Sequence, residues 1–170
     1  MIFLGIGSNL NSKFGNRFSN IKKTIDFISE EKIKINKISS YYETPSYPNK
    51  KNPKFINVVI QIEFESSPNE LLKKILLIEK KMHRKRGLKN QPRTCDIDII
   101  DFKGLKINET NISLPHSKVH ERNFVLFPLK EICPSWIHPI MNKKVEILIK
   151  NLSLKSRNEI TRVEENDILN

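Results

Sequence analysis

The segment from Phe55 to Phe64 alternates side chains of two kinds more regularly than any other part of the chain. Ile56, Val58, Ile60, Ile62 and Phe64 share one parity, whereas the other includes Phe55, Asn57, Gln61 and Glu63. Successive side chains of a β-strand point to opposite faces of a sheet, so this period of two predicts a strand. We expect the apolar set to face a core, and Phe55 and Asn57 to face outward together.

The elements around this strand predict an α+β fold. In chain order they are a strand at 2–6, a helix at about 16–30, a bulged strand at about 33–42, the strand at 55–64, a helix at about 67–84 and a strand at 92–102. The order βαββαβ is typical of a ferredoxin-like sandwich. We therefore expect a mainly antiparallel sheet with helices on one face, which leaves the other face free for an active site.

Local signals place the remaining parts of the chain. Ser67-Pro68-Asn69-Glu70 is a capping box that starts the second helix. Its buried stripe should be Leu71, Ile75, Ile78 and Met82, with Glu79 at the edge of that stripe. The turn at Lys103-Gly104 predicts a partner strand at about 105–107, and a helical segment is expected at about 119–128. We expect a single domain at 1–150, followed by a polar, loosely attached tail at 151–170.

Composition limits the class of protein. A chain of 170 residues suits one domain, and no apolar run approaches the about 20 residues that span a bilayer. With two cysteines in no metal-binding spacing, we expect a cytoplasmic monomer without a membrane partner. The net charge of +11 raises the possibility of a nucleic-acid partner. Lysine is spread over every segment and no nucleic-acid-binding motif is present, so we expect no such partner.

Apolar residues alternate with acids through the segment 92–102. Asp96 and Asp98 therefore share one strand face, with Cα atoms about 6.7 Å apart, while Ile97 and Ile99 point to the helices. Two carboxylates at this spacing require a counter-charge. The preceding run contains Arg84, Arg86 and Arg93. Magnesium takes carboxylate and phosphate oxygens and arginines hold phosphates, so the pattern predicts a magnesium-nucleotide site.

Three residues allow more than one interpretation. His116 follows Pro115 and is compatible with a general base, a phosphate ligand or an ordinary loop residue. Phe55 and Phe124 are each compatible with a core position or with ring stacking. The outward parity of Phe55 favours stacking, whereas the residues around Phe124 give no such signal and favour the core. Gly5-Ile6-Gly7-Ser8 lacks the lysine and the spacing of a Walker A loop.

A set of ordered motifs resembles the 6-hydroxymethyl-7,8-dihydropterin pyrophosphokinase family of folate biosynthesis over about residues 1–140. The motifs are Gly7-Ser8-Asn9, Thr44-Pro45, Phe55-Ile56-Asn57, Arg84-Lys85-Arg86, Pro92-Arg93-Thr94-Cys95-Asp96-Ile97-Asp98, Leu114-Pro115-His116 and the run from Arg122 to Leu129. The resemblance implies a ferredoxin-like fold and transfer of pyrophosphate from ATP to the hydroxymethyl group of the reduced pterin, with release of AMP.

The resemblance also implies roles for individual residues. Asp96 and Asp98 would hold two Mg²⁺ ions, with Arg84 and Arg93 as further catalytic residues. The pterin would be bound by Thr44, Pro45, Phe55, Asn57 and Phe124. The implied ATP-binding set is Glu79, Arg84, Arg86, Ile99, Ser113, His116 and Arg122. The chain departs from the family in having Asn90-Gln91 where an aromatic residue and a glycine are usual, and in having Ser117 where many members have Tyr.

Two alternatives use the same residues differently. The first is a basic RNA-binding module with an incidental acidic strand, which salt-sensitive binding to RNA would reveal. The second is a magnesium-dependent transferase that uses another acceptor, which a screen of acceptor alcohols would reveal.

Overall fold

The computed structural model describes residues 1–84 and 90–167. The described strands and helices are β1 (Ile2–Ser8), α1 (Arg17–Glu30), β2 (Lys34–Ile38), β3 (Tyr41–Thr44), β4 (Phe55–Glu63), α2 (Pro68–Lys81), β5 (Asp96–Phe102), β6 (Ile107–Asn108), β7 (Ser113–Leu114), α3 (Asn123–Ile132), α4 (Val145–Asn151), α5 (Leu154–Asn158) and β8 (Thr161–Val163). Short 3₁₀ turns lie at Val119–Glu121 and Glu165–Asp167.

The main sheet has the strand order β5-β1-β4-β3-β8, and β2 also pairs with β4. All of these pairs are antiparallel. The single strand expected at 33–42 is two strands, which pair with different halves of β4. A register shift between Ile35 and Lys37 confirms the bulge. The α+β class with a mainly antiparallel sheet is therefore confirmed.

Helices α1 and α2 cover the first face of the sheet. Asn16 caps α1 by accepting from two backbone N–H groups, and Ser67 caps α2 by accepting from the N–H of Glu70. The whole predicted stripe of α2 is buried: Leu71, Ile75, Ile78 and Met82. The expectation that Glu79 lies at the edge of this stripe is wrong, because its side chain is only 2% exposed.

Helices α3 and α4 cover part of the second face, which was expected to be free. Phe3, Val59 and Ile100 point to this side and are buried with α3 and α4 in a separate apolar cluster. Trp136 belongs to this cluster and donates its indole N–H to Asp101 Oδ2 at 2.8 Å. Within residues 1–84 and 90–167, α3 and α4 leave uncovered the end of the second face that carries Asp96 and Asn57, so the expectation of a wholly free face is wrong.

The other differences lie after β5. Lys103 and Gly104 have positive φ and form the predicted turn. However, the following strand β6 pairs with β7 in a small separate sheet and not with β5. The helix α3 begins at Asn123, after a 3₁₀ turn, and runs to Ile132. The expectation of a loosely attached tail is wrong for β8, which pairs with β3.

In the part of the chain that the structure describes, no helix combines the length and the apolar character that crossing a lipid bilayer requires.

Candidate active site

One row of residues across three neighbouring strands defines the site. Gly7 on β1 pairs with Asp96 on β5 and with Asn57 on β4, so all three lie side by side. The next row contains Asp98, Gly5 and Val59. Because paired residues of neighbouring strands point to the same face, the carboxylates and the amide share one surface, as parity predicted.

Gly7 keeps the centre of this row open. A Cβ atom at this position would lie 3.1 Å from Asn57 Oδ1 and 3.5 Å from the ring of Phe55. A larger residue would therefore press on both of these side chains. The absence of a side chain at Gly7 leaves space between the acids of β5 and the polar groups of β4.

Arginines neutralise the two acids of β5. Arg84 lies 2.6 Å from Asp96 Oδ1, and Arg93 lies 2.7 Å from Asp96 Oδ2. Arg122 lies 2.7 Å from Asp98 Oδ2. The carboxylate of Asp96 is 22% exposed and that of Asp98 is 37% exposed. Both are therefore accessible to a ligand while already holding cationic partners.

Glu79 supports this arrangement from inside the fold. Its Oε1 accepts a hydrogen bond from the backbone N–H of Ile97 at 3.0 Å, between the two acids of β5. The same oxygen pairs with Arg84. Burial lowers the pKa of Arg84, but Asp96 and Glu79 outweigh this effect and raise it. The buried Glu79 thus holds Arg84 in place, so its geometry fits positioning of Arg84 better than direct contact with ATP.

His116 faces Asp98 with a defined proton arrangement. Its Nδ1 accepts from the N–H of Lys118 at 3.1 Å, and its Nε2 lies 3.8 Å from Asp98 Oδ2. Burial lowers the pKa of His116, Asp98 opposes this effect and Arg122 adds to it. The neutral imidazole therefore carries its proton on Nε2, which makes it a donor on the side of the acids. Of the three sequence-based interpretations, this arrangement favours the phosphate ligand.

The predicted pterin residues lie around Asn57. Its Nδ2 donates to Thr44 Oγ1 at 3.1 Å and to the carbonyl of Tyr42 at 3.3 Å. The guanidinium of Arg93 lies 5.2 Å from the centroid of the Phe55 ring. Arg122 has a similar position, 5.5 Å from the centroid of the Phe124 ring. Each ring thus already stacks with a flat cationic group.

The remaining predicted site residues differ in how their side chains are placed. Ile99 is 7% exposed, and its side chain joins the core under α1 and α2. Only its main chain could then contact a nucleoside. Ser113 is partly buried on β7, paired with Asn108. Pro45 directly follows β3. Arg86 lies outside the described residues.

Sequence reasoning assigned no role to Asn9, which joins two loops of the site. Its Nδ2 donates to Ser46 Oγ and to the carbonyl of Pro53, both at 3.1 Å. Its Oδ1 accepts from the N–H of Arg93 at 2.7 Å. The residue is 2% exposed. The sequence signal for this role was the motif Gly7-Ser8-Asn9, which places an asparagine directly after a strand. Once such an asparagine is buried, its polar atoms need hydrogen-bond partners, and the neighbouring loops supply them.

Comparison with known proteins relates this geometry to a family. Residues 3–134 match the family described as 7,8-dihydro-6-hydroxymethylpterin-pyrophosphokinase (HPPK). A 2-amino-4-hydroxy-6-hydroxymethyldihydropteridine pyrophosphokinase of Aquifex aeolicus is 38% identical over 145 residues, which cover 85% of this chain and 88% of that protein. The protein of the same name from Bacillus subtilis is 32% identical over 132 residues, which cover 77% of each chain.

Among solved structures, a Plasmodium falciparum HPPK-DHPS triple mutant with pteroate superimposes with a TM-score of 0.70 at 15% identity. The match covers 95% of this chain and 46% of that chain, so this chain spans about half the length of the Plasmodium protein. At this identity the likeness supports the fold alone. The family match and the two bacterial relatives go further: the chain belongs to the 7,8-dihydro-6-hydroxymethylpterin-pyrophosphokinase family and is a pyrophosphokinase of folate biosynthesis.

Proposed function

We propose that this site transfers the terminal pyrophosphate of ATP to the hydroxymethyl group of 6-hydroxymethyl-7,8-dihydropterin. The hydroxymethyl oxygen bonds to the β-phosphorus and its proton passes to solvent water, the bond from that phosphorus to the α,β-bridging oxygen breaks, and AMP leaves with the electron pair. The observation that carries this proposal is the row Asp96, Gly7 and Asn57. Gly7 lies between Asp96, a carboxylate suited to the metal ions of a nucleotide, and Asn57, an amide suited to the polar edge of a pterin. Because Gly7 has no side chain, the space between the two stays open.

The reaction requires a divalent metal, and the donor set fits one. Asp96 and Asp98 offer carboxylate oxygens on one partly exposed face. Among the described residues, no group of three or more His, Cys, Asp and Glu side chains is arranged around a metal position. Two acids with phosphate oxygens to complete the coordination suit Mg²⁺. We assign two Mg²⁺ ions to Asp96 and Asp98; when bound, they would neutralise charge on the phosphates and on the attacking and leaving oxygens.

Three described arginines would exchange carboxylate partners for phosphate partners when the nucleotide binds. Arg84, Arg93 and Arg122 pair with carboxylates, and each can turn to a phosphate oxygen when cations take over those carboxylates. Glu79 keeps Arg84 close during this exchange. The proposal also assigns a phosphate contact to Arg86. The site thereby stays close to charge balance with and without the nucleotide.

His116 donates and does not abstract a proton. Its Nδ1 is engaged by the N–H of Lys118, and its Nε2–H points toward the acid and phosphate region. This places a neutral hydrogen-bond donor beside the charge that develops on the transferred group. We assign Ser113 and the main chain of Ile99 to the nucleoside.

The pterin would lie between Phe55 and Phe124, with its polar edge on Asn57 and on the Thr44-Pro45 main chain. Asn57 is held by Thr44 and Tyr42, so its amide is fixed before the substrate arrives. The ring faces that Arg93 and Arg122 cover are suited to a flat heterocycle. A pterin that replaces these guanidinium groups would release both arginines for the phosphates.

We also propose that the protein works as a monomer in the cytoplasm, without a nucleic-acid or membrane partner. The row Asp96, Gly7 and Asn57, which carries the proposal, is formed within one chain. Residues 1–150 would form the pyrophosphokinase domain, to which the polar tail at 151–170 is attached.

An assay for AMP tests the reaction. Folded protein with ATP, Mg²⁺ and 6-hydroxymethyl-7,8-dihydropterin should release AMP, and omission of the metal or the pterin should stop it. A screen of other acceptor alcohols should give only background. The absence of AMP above background, or equal turnover with an unrelated alcohol, contradicts the proposed substrate.

A further inference from the structure

The C-terminal segment 153–163, here called the strap, lies outside the residues that match the family model. It contains α5 and β8. No residue of α5 is buried, and Leu154 is 70% exposed. Val163 of β8 packs against the core cluster but is only partly buried, so apolar packing alone does not explain the polar contacts that the strap makes with the rest of the chain.

The first contact reaches the polar edge of the proposed pterin site. Strand β8 pairs with β3, and Arg162 lies opposite Tyr42. On its other side Tyr42 pairs with Asn57, and its carbonyl accepts from Asn57 Nδ2 at 3.3 Å. One residue thus separates the strap from the amide that would bind the pterin. β8 covers the edge of β3, which ends at Thr44.

The second contact reaches the aromatic side of the same site. Asn123 donates its Nδ2 hydrogen to the carbonyl of Ser156 at 2.6 Å. Asn123 stands between Arg122 and Phe124 at the start of α3, and its Oδ1 accepts from the N–H of Phe124. The strap therefore fixes the residue from which the proposed stacking ring extends.

The third contact involves the loop between β3 and β4. Lys50 in this loop forms an ion pair with Glu159. The loop begins directly after Thr44 and contains Pro45. All three contacts therefore meet segments that carry proposed pterin ligands.

The order of the strands places the strap far from Asp96 and Asp98, the two acids that would bind the metal ions. β8 forms one edge of the main sheet, and β5, which carries Asp96 and Asp98, forms the opposite edge. Along the sheet, a change in the strap should consequently act on the pterin side of the site before it acts on the nucleotide side, whereas Asn123 also lies next to Arg122, which pairs with Asp98.

We propose that the strap is a positioning element for the pterin half of the site, acting through Tyr42, Asn123 and Lys50. This inference rests on the proposed function for the identity of the ligand. The strap holds Asn57 and Phe124 at the separation that a pterin ring requires, and it contributes to substrate affinity without contacting the substrate.

Two variants of the full chain test the strap. Asn123→Asp keeps the oxygen that accepts from Phe124 N–H but loses the hydrogen bond to Ser156, so KM for the pterin should rise about tenfold. Glu159→Lys should raise it about two- to threefold, because the pair with Lys50 is partly exposed. In Glu159→Lys, kcat and KM for ATP should change less than twofold. In Asn123→Asp, which lies next to Arg122, KM for ATP should rise less than KM for the pterin.

Charge reversal provides the rescue and a matched control. The double variant Lys50→Glu with Glu159→Lys restores the pair in reverse and should return KM for the pterin to the wild-type value. Glu146→Lys breaks a comparable exposed pair with Lys150 on α4, outside the strap, and should leave that KM unchanged. If Asn123→Asp does not fold, as judged by circular dichroism, the charge-pair series decides.

Two results overturn the inference. One is an unchanged pterin KM in the variants that fold, and the other is an equal rise of KM for ATP and pterin. Calorimetry of pterin binding gives the same comparison without turnover. A wild-type protein that binds pterin but releases no AMP counts against the proposed function, whereas unchanged pterin affinity in the variants counts against the strap.

Discussion

The two ends of the second sheet face differ sharply although the same three strands build both. At one end Phe3, Val59 and Ile100 are buried under α3 and α4 in an apolar cluster. At the other end, the strands present Asp96 and Asn57 beside Gly7. Only Val58 lies between Asn57 and Val59 on β4. The strand alternation sets only which face a side chain occupies, and the helices that pack on the face determine whether that position becomes core or site.

The largest effect is expected at the charged end. Asp98→Ala removes a proposed metal ligand that is 37% exposed, so turnover should fall at least about a thousandfold while the fold is retained. Rapid-quench or coupled AMP assays measure the rate, and circular dichroism checks the fold. Near-normal turnover would contradict the assignment of two metal ions to Asp96 and Asp98. It would also contradict the interpretation of the charged end as the active site.

A smaller effect, now on stability, is expected at the covered end. Val59→Ala empties space in a position with no solvent exposure and should lower the free energy of unfolding by about 2 kcal/mol. Urea denaturation measures this value. The matched variant Asn57→Ala lies two residues away on the same face and should weaken pterin binding about tenfold, which Val59→Ala should not do. Similar pterin affinities in the two variants would show that the division between the two ends is misplaced.

The two glycines of β1 sharpen the position of the boundary. Gly7→Ala places a methyl group 3.1 Å from Asn57 Oδ1, whereas Gly5→Ala meets Ile100 at 3.4 Å. The first variant should raise the pterin dissociation constant about tenfold, or about 1.4 kcal/mol, and the second should change it less than twofold. Calorimetric titration with pterin measures both. Equal effects would mean that the site extends further along β1 than the row Asp96, Gly7 and Asn57.

The smallest effect concerns pH, because each end contains one histidine whose pKa is lowered. Burial lowers the pKa of both His116 and His138 from about 6.5. For His138, nearby His120 adds to the shift and Asp101 opposes it. The unfolded chain therefore binds more protons below pH 6.5, so stability present above that pH is lost as the pH falls, by at most about 1.4 kcal/mol per unit for each histidine.

Variants separate the two histidines. His138→Gln and His116→Gln should each flatten the pH dependence of the unfolding free energy between about pH 6.5 and 5. Only His116→Gln should also lower turnover, because His138 belongs to the covered end. Chemical denaturation at a series of pH values measures the slopes. An unchanged slope in both variants would assign the acid sensitivity to other groups.

Much of the charged end could be predicted from the sequence, because it depends on local alternation. The period of two placed Asp96 and Asp98 on one face and Asn57 on the same side, and the strand register confirms both. Parity does not specify which elements approach a face from elsewhere in the chain. The cover by α3 and α4, the pairing of β6 with β7 and the pairing of β8 with β3 were therefore missed.

Glu79 shows the same limit at the level of one residue. Helical periodicity placed it at the edge of an apolar stripe, where a carboxylate is normally solvated. The structure buries it, because the N–H of Ile97 and the guanidinium of Arg84 compensate for lost water. Ile97 lies on β5, and Arg84 lies just beyond the end of α2, so the helical periodicity of α2 predicts neither contact.

The position of β5 at the edge of the sheet has a consequence for solubility. An edge strand with unpaired backbone groups can recruit a second molecule and start aggregation. On β5, Glu79 accepts from the N–H of Ile97, and the N–H of His116 donates to the carbonyl of Ile100. Residues that serve the site thus also block intermolecular strand addition. A loss of activity in a Glu79 variant therefore has to be separated from self-association before it is attributed to catalysis.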